Sequence, residues 1–231
     1  MMELYDLAGA EEDRRFSPYC WRIRMALAHK GLPVKTIPWR FTEKERLAPS
    51  GQGRVPVLVV DGRWIADSWA IATYLEKTYP DRPSLFGGGA GIALSRFYNN
   101  WADGVLQPAL IRFAALDIWR HAAPQDKDYF RRSREERFGT SLEAFTADRD
   151  QRLDGFRRSL APLRQTLEAQ PFLGGETPLY ADYIVLGAFQ WVRCISDYTL
   201  LAADDPVAAW RRRMLGLFEG LAGAAKGYAV Q

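Results

Sequence analysis

The sequence predicts a small α/β domain followed by a larger all-helical one. Three observations carry this. Short β-branched runs alternate with helical periodicity up to Tyr79, a Pro- and Gly-rich stretch occupies positions 80–91, and only helical spacing recurs beyond it. The domains are therefore expected at 1–81 and 92–231, with 82–91 as the linker.

The first domain reads in order. Glu3-Leu4-Tyr5 opens a strand, and a helix runs from Pro18 to Lys30-Gly31, where glycine suits the C-terminal cap. Val34 to Pro38 is a second strand, followed by a variable stretch. Pro56 to Val60 is a compact β-branched run, and Asp61-Gly62 signals a hairpin into Arg63-Trp64-Ile65. Ser68 to Tyr79 then reads as a helix closed by Pro80. In the second domain, Leu94, Phe97, Trp101 and Val105 recur at helical spacing, as do Ile184, Val185, Ala188 and Val192. Leu153, Phe156, Leu160, Leu163 and Leu167 mark one helix with a face that must pack.

A chain of 231 residues, 48% apolar and 26% charged, buries a sizeable core. A net charge of +3 gives no reason to expect nucleic acid or a membrane surface as partner. The basic runs Arg131-Arg132-Ser133-Arg134 and Arg211-Arg212-Arg213 read as solvated faces. Cys20 and Cys194 are too few for a disulfide framework, which suits a reducing, cytoplasmic setting. The start of the chain lacks the basic and apolar regions of a signal peptide, and no apolar run is long enough to span a bilayer. His29 and His121 stand apart from each other and from Cys194, so no metal is expected. The glycines at 87–91 do not form a strand–turn–helix, so no nucleotide is expected either.

The chemistry concentrates at three places. Ser17-Pro18-Tyr19-Cys20 occupies a helix start where Cys-Pro-Tyr-Cys would read as the thiol motif of a thioredoxin-like domain. A hydroxyl replaces the first thiol, so disulfide exchange cannot start there. Ser17 is also an ordinary N-cap with proline at the first helical position. The same geometry suits a thiolate brought by another molecule, held by the helix terminus and the Ser17 hydroxyl. Arg54-Val55-Pro56-Val57 is either strand punctuation or a cis peptide whose Val55 backbone pairs with an extended peptide. Asp67 and Ser68 are capping residues that equally suit the ammonium and carboxylate of a γ-glutamyl group. The three motifs occur in the order a glutathione site needs.

These motifs, Ser17 to Arg24, Arg54 to Val57 and Asp67 to Ile71, resemble the N-terminal signature of cytosolic glutathione transferases. The resemblance implies a thioredoxin-like βαβαββα domain, an all-α second domain, glutathione as co-substrate and a homodimer. By it, Ser17 is the catalytic serine, Val55 with Pro56 and Arg54 belong to the glutathione site, and Asp67 and Ser68 take the γ-glutamyl end. Pro124 to Tyr129, Ser133 to Glu136, Thr140 to Glu143, Phe172 to Gly175 and Ala181 to Tyr183 are in turn similar to bacterial β-etherases, glutathione-dependent enzymes that cleave aryl ethers. One position departs from the family. A small polar cap commonly stands three residues before the aspartate matching Asp182, and here it is Leu179, leaving the cap to Asp182 itself or Thr177.

Two residues compete with Ser17. Tyr5, at the end of the first strand, offers a hydroxyl or simply packs under the helix. Cys20, if acidic, would support a thiol-transferase through a mixed disulfide; otherwise it is a small apolar residue. A protein that binds glutathione or an aromatic ligand without turnover is the remaining reading. Tyr19, Trp39, Trp101, Phe113 and Trp119 are candidates for an aromatic electrophile pocket between the domains, although most aromatics in such a chain serve the core.

Overall fold

The computed structural model describes residues 2–230. Its first domain is a four-stranded sheet in the order β2-β1-β3-β4, from β1 (Met2–Leu7), β2 (Lys35–Trp39), β3 (Val57–Val60) and β4 (Arg63–Ala66). β1 runs parallel to β2 and antiparallel to β3, and β3 pairs antiparallel with β4 through the Asp61-Gly62 turn. Helices α1 (Pro18–His29) and α2 (Ser68–Thr78) complete this thioredoxin-like domain. The variable stretch holds a 3-10 helix, Lys44–Ser50, rather than an α-helix; it includes Pro49, which has no N–H to donate.

The second domain is all-helical. α3 (Gly89–Trp101) begins inside the expected linker and continues through a π-helical turn, Ala102–Leu106, into α4 (Gln107–His121). α5 (Pro124–Phe138) and α6 (Leu142–Thr146) follow. The Leu153–Leu167 repeat, expected as one helix, is two: α7 (Arg149–Ser159) and α8 (Ala161–Ala169). Pro162 removes a helical hydrogen bond and the chain breaks at Leu160, while the apolar spacing persists across the break. α9 (Tyr180–Ile195) is buried along nearly its whole length, and α10 (Pro206–Gly220) packs along α8 and reaches Phe189 and Asp182 of α9 through Trp210.

The domains meet where α9 crosses α1. A Cβ at Gly187 would lie 2.4 Å from the Pro18 carbonyl oxygen, so only glycine permits this approach. The α9 start is held without a polar residue at Leu179. The buried Asp182 carboxylate accepts the N–H groups of Leu179 (3.0 Å), Leu173 (2.7 Å) and Gly174 (3.0 Å) and the Trp210 indole N–H (2.9 Å). Of the two candidate caps, Asp182 does the work. Asp126, at the start of α5, similarly reaches back to the Phe41 and Thr42 N–H groups of the first domain, both at 3.0 Å.

The basic runs are not uniformly solvated. Arg131 is half-exposed and paired with Glu135 and Glu143, but Arg134 on the same helix is turned under and Arg211 is buried. The spacing through α3 and the π-helical turn also has an unexpected outcome. Ser95, Tyr98, Ala102 and Leu106 form the buried side, while Phe97 and Val105 of the apolar stripe are 62% and 50% exposed.

Candidate functional site

Strand register brings the three motifs to one end of the sheet. Val57 pairs with both Tyr5 and Ala66, which places Val55-Pro56 and Asp67 beside the end of β1. Just past that end the chain turns at Phe16, whose N–H bonds the Leu7 carbonyl, and enters α1 at Ser17. The Cys20 thiol, in the first turn of α1, faces the Tyr5 carbonyl at 3.8 Å.

Ser17 is the N-cap of α1. Its backbone is extended (φ −77°, ψ 124°), and its Oγ accepts the Cys20 N–H at 3.2 Å. An accepting hydroxyl keeps its proton for donation. Only 3% of Ser17 is exposed, so a sulfur reaching it meets a largely desolvated hydroxyl at the positive end of a 12-residue helix. Val55-Pro56 is cis. Pro56 is buried, while the neighbouring Arg54 is exposed.

Asp67 caps α2 through Oδ1, which accepts the N–H groups of Trp69 (2.9 Å) and Ala70 (3.0 Å). Its φ of 79° is a left-handed conformation that costs a non-glycine residue of order 1 kcal/mol or more. The segment is clamped from the second domain, because the buried Tyr180 hydroxyl donates to the Ser68 carbonyl at 3.0 Å. Burial raises the Tyr180 phenol well above its ordinary range, so it stays a donor.

The rivals fare differently. Tyr5 points away from α1: its ring packs on Trp64 at 5.4 Å, with the Arg46 guanidinium 5.7 Å from it. Cys20 is wholly buried. That burial, then the neighbouring Asp6, push its thiol well above its ordinary range, a setting opposite to that of a reactive cysteine. Cys194 is likewise buried and pushed up to about 12. Among the described residues, no three His, Cys, Asp or Glu side chains cluster to hold a metal. No described helix is long and apolar enough to cross a membrane.

Of the five aromatic pocket candidates, only Tyr19 lies beside Ser17. It is partly buried on the first turn of α1, with the Arg22 guanidinium 4.6 Å over its ring. The other four serve elsewhere. Trp39 is buried at the end of β2 and donates its indole N–H to the Glu43 carbonyl. Phe113 packs on Phe156 and Tyr198 inside the second domain, and Trp101 is partly buried at the end of α3 against Tyr98 (6.2 Å). Trp119 carries Lys127 and Arg131 over its face. Sequence reasoning missed a run of rings that begins at Phe16, the residue before Ser17: Phe16 packs at a tilt against Phe41 (6.2 Å) and Phe41 against Phe130 of α5 (5.4 Å). It also missed the latch beneath Tyr19, where fully buried Arg22 bonds Asn99 (2.8 Å) and Asp103 (2.7 Å) of the second domain.

Comparison with known proteins agrees with this geometry. Residues 16–78 match the model of the glutathione S-transferase N-terminal domain, and residues 93–211 that of the glutathione S-transferase C-terminal domain. Glutathione S-transferase DHAR2 of Arabidopsis thaliana is 41% identical over 79 residues, 33% of this chain and 37% of that protein. The glutathione S-transferase-like protein ustS of Aspergillus flavus is 30% identical over 201 residues, 74% of this chain and 71% of the relative. Among solved structures, a glutathione S-transferase of Ceriporiopsis subvermispora in complex with glutathione superposes with a TM-score of 0.81 at 26% identity, covering 94% of this chain and 96% of that one.

Proposed function

The chain belongs to the glutathione S-transferase family, and we propose that it joins glutathione to an aromatic electrophile with Ser17 as the catalytic residue. The observation that carries this is the desolvated Ser17 hydroxyl at the N-terminus of α1. A free thiol of pKa about 8.5 is only a few per cent ionised at neutral pH, and lowering it by about two units takes roughly 2.7 kcal/mol. A charge-assisted hydrogen bond and a helix terminus together supply energy of that order.

Glutathione lies extended along the edge made by Val55-Pro56, with Arg54 nearby and its γ-glutamyl end at Asp67 and Ser68. Its proton leaves to solvent, the thiolate attacks the electrophilic carbon, and a C–S bond forms. The leaving group departs with the bonding pair; no covalent enzyme intermediate is required. The motifs shared with β-etherases favour an aryl ether as electrophile, with a phenolate as leaving group. A thiol-transferase route through Cys20 is disfavoured, because a buried thiol held above its usual range has little thiolate to offer.

The protein acts as a homodimer in this reading. The support is the stripe along α3 and the π-helical turn that follows it, whose Phe97 and Val105 are left uncovered by the chain's own second domain. Arg96, from the same helix, lies 3.5 Å over the Trp69 ring of α2, so this surface adjoins the glutathione-binding domain. Sedimentation of the wild type against Phe97→Glu reads the dimer: loss of association in the variant supports it, and a monomeric wild type removes it.

The function is tested with glutathione and a panel of β-aryl ethers, halonitroaromatics and mixed disulfides. Ser17→Ala is expected to lower turnover of the conjugated electrophile at least about tenfold, the equivalent of one hydrogen bond of roughly 1.4 kcal/mol. Unchanged turnover in that variant removes Ser17 from the chemistry, and a wild type active only on disulfides gives the role to Cys20.

A further inference from the structure

Beyond the aromatic character of the electrophile, α5 carries information about its charge. Phe130 is buried and packs on Phe41, which packs on Phe16, the residue before Ser17. Positions 130, 134 and 137 are spaced by four and three, so they share one face of α5. The face anchored on the first domain by Phe130 therefore continues with two arginines. Arg134 is half-buried, its guanidinium 5.0 Å over the Phe130 ring.

Burial, more than any charge, lowers the Arg134 pKa; the Tyr129 phenol opposes this, and Arg137 and Arg54 add to it. Arg137 in turn acts on the Tyr19 phenol next to Ser17. Arg54 of the first domain and Arg137 of the second thus lie within electrostatic range of Arg134, and Arg137 within range of Tyr19. Among the described residues none of Arg54, Arg134 and Arg137 is in an ion pair, whereas outward-facing Arg131 of the same helix has two. The acid that faces Tyr19 is Asp103, and it is already committed to Arg22 at 2.7 Å. Like charges gathered without counter-ions repel, and an anion between them relieves this. The glycine carboxylate of glutathione accounts for Arg54, adjacent to Val55. It leaves two.

We infer that the electrophile is an aromatic compound bearing an anionic substituent such as a carboxylate, received by Arg134 and Arg137 on the inner face of α5. This rests on the glutathione reading above and narrows its second substrate. The two arginines confer specificity and take no part in ionising the sulfur.

Product conjugates test it without depending on turnover. Calorimetry on the full-length protein compares S-(4-carboxy-2,6-dinitrophenyl)glutathione with its 4-carboxamide, which differs only in charge. The carboxylate is expected to bind at least about tenfold more tightly, by an advantage that shrinks as salt is raised. Arg137→Gln, at the solvent-exposed end of that face, and Arg134→Gln should each reduce that preference to under about threefold and leave the carboxamide affinity unchanged. Equal binding of the two conjugates by the wild type overturns the inference alone. So does an equal loss for both conjugates in the variants, since the arginines would then be holding glutathione's own carboxylate. If neither conjugate binds, the glutathione reading falls with it.

Discussion

Removing Asp103 should cost far more than removing its partner Arg22. The Arg22 guanidinium is fully buried, with Nη2 donating to Asp103 at 2.7 Å and Nη1 to Asn99 at 2.8 Å. The Asp103 carboxylate is 35% exposed and also accepts from Gln107 at 3.0 Å. Asp103→Ala strands a buried cation with one neutral acceptor, a loss expected near 3 kcal/mol, the lower end for a broken buried pair. Arg22→Met leaves a carboxylate that water and Gln107 can still satisfy, and fills the arginine stem's volume; its cost should be about 1 kcal/mol. With both changed no charge is stranded, so the double variant should cost about 1–2 kcal/mol and the cycle should show a coupling of about 2–3 kcal/mol. Urea unfolding of the four proteins, followed by tryptophan fluorescence, supplies these values. Additive costs, or an Arg22→Met loss exceeding that of Asp103→Ala, would refute the asymmetry.

Asp182→Ala leaves three backbone N–H groups and the Trp210 indole without their acceptor, a loss of at least about 4 kcal/mol. Asp182→Asn should lose about half as much, and guanidinium midpoints compare the two. Cys20→Ala should keep conjugation within about twofold, because the buried thiol lies outside the chemistry. In the folded wild type a chromogenic disulfide should label neither cysteine, and rapid labelling of Cys20 would contradict its burial. Burial, then neighbouring Lys30, holds His29 below its usual range, so folding favours the neutral ring. That contribution is complete above the unfolded value of about 6.5 and is lost as pH falls through the lower folded value. The Tm gap between wild type and His29→Gln should therefore narrow from pH about 7.5 to about 5.5; a widening gap has the wrong sign.

The first domain was readable because its signals are local. Serine before proline, the β-branched run after Pro56 and Asp61-Gly62 each act through their own backbone, and all three stand where expected. The second domain's helices were readable by spacing, but Pro162 divides one of them at Leu160 without disturbing the apolar repeat. Of the candidate site, the three backbone-level motifs at Ser17, Val55-Pro56 and Asp67 were legible, and strand register brings them to one end of the sheet. The site's opposite wall depends on which aromatic faces which. Trp39, Phe113 and Phe130 are all buried, and only their contacts in the fold tell them apart. Phe130 packs on Phe41, which packs on Phe16 next to Ser17, whereas Phe113 packs on Phe156 and Trp39 bonds Glu43. Arg134 read as one member of a basic run, and only the anchoring of Phe130 turns it inward.

The most direct test is the ionisation of the bound sulfur. Ultraviolet thiolate absorbance of the protein–glutathione complex should titrate about two units below the free thiol value of about 8.5. In Ser17→Ala the midpoint should climb back by about one unit, one hydrogen bond's worth. A bound thiol that titrates like free glutathione, or one unmoved by loss of the Ser17 hydroxyl, would contradict the account.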